Sequence, residues 1–364
     1  MLRIWLHIAF GIVTFLLLTQ CDTDPNADIQ DIELEIDFSR ADSVMWEASA
    51  ALQENPDMAP MEVYDKFLIH EKGFLGEWVD VRRFLPPNLQ NTPKADTFIA
   101  RTLVPILADS NLFMLLDTVR KVFPYDYPFK ERITPALKRL VKYIPDVQIP
   151  AYRTHVNGFV AHGDMRQVDQ IVFLPVPDSP GYFTFGLHYF LGAKLPYYPA
   201  NIPQYQKNRF SEEYLEVLMV ESIANGMVPE VSPSQQPTLL DRIIHAGIKQ
   251  YFVQQILPNT PDTLCLKYTE KQLYWADLYE ARIYKELMDD LFDTNFMAHR
   301  DYIMDKPYTT SLAQESAPRL GEYLGWKIVS NYMDRHSEVT LDELIETTDY
   351  EMIFREARYK PVPK

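Results

Sequence analysis

The feature that most constrains this chain is an apolar run that stops at a cysteine. Ile4 to Leu18 is interrupted only by His7, Gly11 and Thr14, and Arg3 supplies a positive charge ahead of it. A run of about 15 residues suits the apolar core of an export signal and falls short of the roughly 20 that span a bilayer. It ends in Leu18-Thr19-Gln20-Cys21, where Leu18 at −3 and Cys21 at +1 resemble a lipobox, although Gln20 stands where signal peptidase II prefers Gly, Ala or Ser. The pattern predicts a leader over 1–20 and a lipid on Cys21. A non-cleaved N-terminal anchor and an ordinary secretory leader with a coincidental cysteine are the competing readings. In the favoured reading the rest of the chain folds outside the cytoplasm, held to a membrane by its first residue.

Cysteine and charge narrow what that exported part can be. Only Cys21 and Cys265 occur. If Cys21 carries lipid, Cys265 is unpaired and no disulfide framework exists; a small buried apolar residue is its expected role. The formal charge is −16, and loss of Arg3 with the leader takes it to −17. Such a surface repels nucleic acid and anionic lipid. With 47% apolar residues, 22 Tyr and 20 Phe, residues 31–364 can bury one large core. Residues 21–30, containing Asp22-Thr23-Asp24-Pro25-Asn26-Ala27-Asp28, read as an acidic, solvated tether. Acids just after a lipid-bearing Cys also resemble a surface-export signal of Bacteroidetes lipoproteins.

Along the chain, helical periodicity dominates. Ile32 to Phe38 alternates apolar and acidic residues, which predicts an exposed strand. Asp109-Ser110 opens a helix carrying Leu112, Leu115, Leu116 and Val119 on one face and stopping at Pro124. Lys130 to Tyr143 is another. Between Pro145 and Pro203 the chain turns rich in Pro, Gly and aromatics, with short strands expected at Ile149–Val156, Gln170–Pro175 and Tyr182–Leu187. Thr269 and Gln272 form a capping box, and the spacing of Leu273, Trp275, Ala276, Tyr279, Ile283 and Leu287 predicts one helix to Phe292. Thr340 and Glu343 form a second box. The expected class is α+β, predominantly helical, with a small central sheet.

Chemistry is sparse. No two of the eight histidines stand four apart, so no H-E-x-x-H pair exists. His155 and His162, with His188 or Asp164, are the remaining candidates for a non-standard zinc site; hydrogen-bonded structural histidines are the plainer reading. There is no G-x-S-x-G elbow, and the Gly158 to Gly163 loop lacks the lysine of a phosphate loop. Tyr182, Phe183, Phe185, Tyr189, Tyr197 and Tyr198 would form either an aromatic ligand cleft or core packing. Neither a catalytic residue nor a cofactor is assigned. Gly321 and Gly325, four apart in a Pro-started helix with Leu324, Ile328 and Tyr332, predict close approach of a second element, from this chain or from a partner.

Pro318-Arg319-Leu320-Gly321 and Gly325-Trp326-Lys327-Ile328-Val329 resemble the C-terminal signature of the gliding-motility lipoprotein GldB family of Bacteroidetes. Leu257 to Asp262, Tyr268 to Trp275, Tyr189-Phe190-Leu191-Gly192 and Arg358-Tyr359-Lys360-Pro361 match in the same order, across roughly residues 180–362. Ala317 stands where that family more often has Pro, Pro318 where it has Gly, and His188 where an acidic residue is expected. These departures bear only on a shared ligand site near His188. The resemblance implies a cell-envelope lipoprotein on the periplasmic side or outer surface. It would act in gliding motility alongside type IX secretion, through contacts with machinery proteins, and without established catalysis. The family is also distantly similar to zinc peptidases, which implies a degenerate zincin-like fold. That similarity places the metal helix on Val220-Glu221-Ser222-Ile223-Ala224, where only Glu221 survives, and the later ligand near Ala246-Gly247. It implies a pseudo-peptidase in which Glu221 is a buried hydrogen-bonding residue or a vestige. The alternative is a metal-dependent hydrolase built on the three histidines.

Overall fold

A computed structural model describes residues 26–78, 93–157, 170–176, 178–195, 198–231 and 236–363. The described chain enters through a 3-10 turn (Ala27–Ile29) and a short strand β1 (Phe38–Ser39) to α1 (Ala41–Glu54) and α2 (Pro60–Val63). A π turn (Tyr64–Leu68) and a 3-10 turn (Ile69–Glu71) lead on to α3 (Lys72–Trp78). Three longer helices follow: α4 (Pro93–Leu107), α5 (Ser110–Val122) and α6 (Phe129–Tyr143). Helix α5 starts where its cap demands, with the Asp109 carboxylate accepting from the amides of Asn111 (2.7 Å) and Leu112 (3.3 Å). It buries Leu112, Leu115, Leu116 and Val119, the predicted stripe.

The central segment forms β2 (Ala151–His155), β3 (Ile171–Val176) and β4 (Ser179–Gly186), close to the predicted positions. With β1 they make one small mixed sheet of order β1-β2-β4-β3, parallel except for the β3/β4 pair. The expected strand over 32–38 shrinks to Phe38–Ser39. Its alternation is real, because Ile36 is buried while Glu33, Glu35 and Asp37 are exposed. The ladder with β2, however, reaches only Tyr152 and Arg153, so the preceding residues run extended without becoming a strand. The acidic tether also differs from expectation from Asn26 onward. Ile29 is buried, and Asp28 pairs with Arg139 (3.2 Å) and Lys142 (3.0 Å) of α6.

After the sheet come α7 (Gln204–Lys207), α8 (Leu215–Met227), α9 (Leu239–Ile256), α10 (Asp262–Cys265), α11 (Glu270–Leu278) and α12 (Glu280–Met288). The chain closes with α13 (Phe296–Ile303), α14 (Leu320–Arg335), α15 (Leu341–Glu346) and α16 (Tyr350–Ala357). Both predicted capping boxes are present, and a third joins Thr238 to Asp241 at the start of α9. The single helix expected to Phe292 bends at Tyr279 into α11 and α12. Tertiary contacts set the bend: Asp277 before it and Glu280 after it both accept from the Tyr323 hydroxyl, at 2.7 and 3.3 Å.

The centre of the molecule is the crossing of α9 and α14. A Cβ on Gly325 would run into the Ile243 carbonyl, 2.8 Å from its carbon, and one on Gly247 would come within 2.8 Å of the Gly325 Cα. A Cβ on Gly321 would sit 3.0 Å from the Tyr302 carbonyl oxygen. The glycine pair therefore serves packing within this chain. Helix α14 starts at Leu320 rather than at Pro318, because Arg319 takes a left-handed conformation (φ 48°) at its N-cap. The predominantly helical α+β class holds, and among the described residues no single helix is long and apolar enough to cross a membrane.

Candidate functional site

Glu221 lies on α8, beside the buried Val217, Val220 and Ala224. Its carboxylate forms an ion pair with the Lys267 ammonium; the two side chains are 22% and 8% exposed. Lys267 follows α10 in a left-handed conformation (φ 56°), as does Arg319 (φ 48°). Two of the five left-handed non-glycine residues among the described residues thus stand together here, each at a cost of roughly 1–2 kcal/mol. The pairing is enforced by cross-ties. The Tyr268 hydroxyl donates to the Pro318 carbonyl (2.6 Å), and the Arg319 guanidinium donates to the Leu266 carbonyl.

Charge is balanced around this pair. Arg319 binds Glu322 in a two-pronged contact (2.8 and 3.1 Å), and Asp305 receives Arg209 (2.8 Å) and faces Arg319 (3.5 Å). Burial, with Arg319 as a like charge close by, pushes the Lys267 ammonium down to about 7; Glu322 and Asp305 pull the other way. Two small cavities flank the pair, one of about 280 Å³ beside Asn225, Lys249 and Gln250, the other of about 240 Å³ beside Gln170, Arg209 and Asp305. The Nε2 atoms of Gln250 and Gln170 are buried there without a hydrogen-bond partner. Chemically, the site can hold a proton on a buried amine and present N–H donors to an oxygen acceptor.

The positions that the peptidase similarity assigns to metal ligands have other surroundings. Val220 and Ala224 are packed in the core, and Gly247 has no room for any side chain because Gly325 lies against it. Among the described residues no three His, Cys, Asp or Glu side chains are placed to hold a metal ion.

Of the histidine candidates, the structure brings two together. His155, at the end of β2, and His188, just after β4, are buried with ring centroids 6.2 Å apart. Burial pushes His155 down to about 3 and His188 well below its ordinary value, with His155 adding to the second shift. The Asn157 amide donates to His188 Nδ1 at 3.5 Å. His162, Asp164 and the lipidation candidate Cys21 lie outside the described residues. Cys265 is buried, and burial pushes its thiol up to about 12, as a small core residue behaves. The aromatic group packs as core: Tyr152 lies tilted against Phe183 (5.5 Å) and stacked on Phe185 (6.2 Å), and Tyr189 and Tyr198 meet Phe210 edge-on. Tyr197 lies outside the described residues.

Comparison with protein families matches residues 22–361 to the family described as gliding motility protein GldB. The chain belongs to the GldB family. Membership makes it a gliding-motility-related lipoprotein of the cell envelope. No curated protein and no solved structure matches the chain. Some of the runs that carry the GldB resemblance are tied to other parts of the C-terminal half by hydrogen bonds. Tyr268 bonds the Pro318 carbonyl, and Tyr359 donates to Glu280, which also receives Tyr323 of α14. Lys267 was missed in the sequence. Its one local signal is its place just ahead of the Thr269 capping box, which says nothing of a partner on α8.

Proposed function

We propose that this GldB-family chain is a lipid-anchored scaffold of the cell envelope that supports gliding, in concert with type IX secretion, through protein contacts and without catalysis. The observation that carries the non-catalytic part is the Glu221–Lys267 pair. A general base or a metal ligand must keep a free carboxylate in reach of substrate or ion. Here the one surviving residue of the peptidase-like motif is closed onto an ammonium. The two histidine positions of the motif are the core residues Val220 and Ala224, and the later ligand position is a glycine in a helix crossing. Anchoring through Cys21 is supported by the lipobox-like sequence and by a family match that begins at residue 22.

Deletion and complementation test the reading. Loss of the gene should abolish colony spreading, and the wild-type gene should restore it. Cys21→Ala should shift the protein from the membrane to the soluble fraction and fail to restore spreading. Unchanged spreading on deletion would remove the motility role, and continued sedimentation of Cys21→Ala with membranes would remove the anchor.

A second reading has one observation in its favour, the approach of two uncharged imidazoles at His155 and His188. Neutral imidazoles are what bind zinc. Elemental analysis of the purified domain separates the two: stoichiometric metal retained through gel filtration supports a metal-dependent hydrolase.

A further inference from the structure

The described chain begins already fastened to the domain. Asn26 Oδ1 accepts from the Arg139 guanidinium at 3.0 Å, the Asp28 carboxylate takes Arg139 and Lys142, and Ile29 is buried. Arg139 is itself only 3% exposed, so the clamp is fastened to a packed side chain, with Asp28 and Lys142 at its solvent-facing side. The three charges hold one another: Arg139 and Lys142 keep the Asp28 carboxyl below its ordinary range, against the opposing effect of its burial.

The clamp fixes how far the domain can stand from its lipid. Asn26 is five residues after Cys21, and five fully extended residues reach at most about 18 Å. Whatever path those residues follow, an acyl chain on Cys21 keeps Asn26 within that distance of the headgroup layer. A free tether of the same composition out to residue 30 would allow nearly twice the reach and any orientation.

The surface beside Asn26 is a broad groove of about 1,110 Å³ between the segment Ile29–Glu35 and α6. Glu33 and Glu35 line one wall, and Lys130, Glu131 and Lys138 line the other. Helix α6 carries Lys130, Arg132, Lys138, Arg139 and Lys142 against the single acid Glu131, in a chain of net charge −16. Charges of both signs on the walls of one groove complement a headgroup that joins a phosphate to an ammonium, lysines to the first and glutamates to the second.

We infer that the α6 groove is the membrane-facing side of the domain and that a zwitterionic phospholipid headgroup layer occupies it. The inference rests on acylation at Cys21, and its test separates the two claims. Thr134 lines the groove, and Cys265 is buried, so a Thr134→Cys substitution offers one reactive thiol for an environment-sensitive fluorophore. Acylated protein labelled there is reconstituted in phosphatidylethanolamine/phosphatidylcholine vesicles containing headgroup-nitroxide lipid. A Gln30→Cys label, also in the groove lining, serves as a second probe should the first disturb folding.

The expected result is loss of probe emission on vesicles, with no loss for the same label on Cys21→Ala protein. Full emission from vesicle-bound, acylated protein would overturn the inference and leave the anchor standing. Failure of the wild-type protein to bind vesicles at all would overturn the anchor, and this inference with it.

Discussion

Lys267 and Glu221 are stable only as a pair. Removing one partner leaves the other charged and mostly buried, which costs about 3–5 kcal/mol, whereas replacing both with apolar side chains of similar volume is often neutral. Urea unfolding should therefore show Glu221→Ala and Lys267→Ala destabilised by that order, and the double variant Glu221→Met/Lys267→Met close to wild type. Independent costs in the double variant would contradict the pairing. His155 and His188 supply a pH prediction. Burial holds both uncharged in the folded state, His155 down to about 3, whereas in the unfolded chain each binds a proton below about 6.5. Between those values the unfolded state carries more protons, so stability falls on acidification, by about 1.4 kcal/mol per pH unit for each histidine. Denaturant midpoints measured from pH 7 to pH 4 should fall steeply, and His155→Gln should flatten the slope. A slope unchanged by the substitution would exclude His155 as its source. From the sequence, both histidines were visible as candidates, but their meeting depends on the parallel pairing of β2 with β4, which no local pattern encodes.

At the scale of elements, the glycines of α14 decide how the centre packs. Gly325→Ala would drive a Cβ into the Ile243 carbonyl, a clash with backbone that no rotamer relieves. The expected cost is about 3 kcal/mol, measurable as a lowered Tm, with Gly321→Ala milder because its nearest neighbour is 3.0 Å away. Equal costs at the two sites would contradict this geometry. Gly321 and Gly325 are legible in the sequence because spacing is local; Gly247, which meets Gly325, lies in another helix, and no local pattern pairs the two. The same division runs through the other elements. Caps at Asp109, Thr269 and Thr340 were legible because each is complete within four residues. The bend at Tyr279 was not, since it answers to Tyr323 and Tyr359 from the C-terminal helices. Alternation from Ile32 to Phe38 correctly gave the inward side chains, yet strand formation needed a partner that β2 supplies for two residues only.

The whole molecule is an acidic, predominantly helical domain with a centre in which charges neutralise one another. The family match over 22–361 supplies the cellular setting, and the Glu221–Lys267 pair supplies the reason to read the protein as a scaffold. How the candidate site is built was largely hidden from the sequence. Glu221 could be singled out by its place in a peptidase-like motif, but Lys267, Arg319 and Asp305 come from three separate segments that only the fold assembles. The most direct measurement is colony spreading of a deletion strain complemented with Glu221→Met/Lys267→Met. If the domain acts through contacts, this variant should reach the membrane at wild-type abundance and restore spreading fully. Loss of spreading by a folded, membrane-bound double variant would show that the charged pair performs chemistry and contradict the scaffold reading.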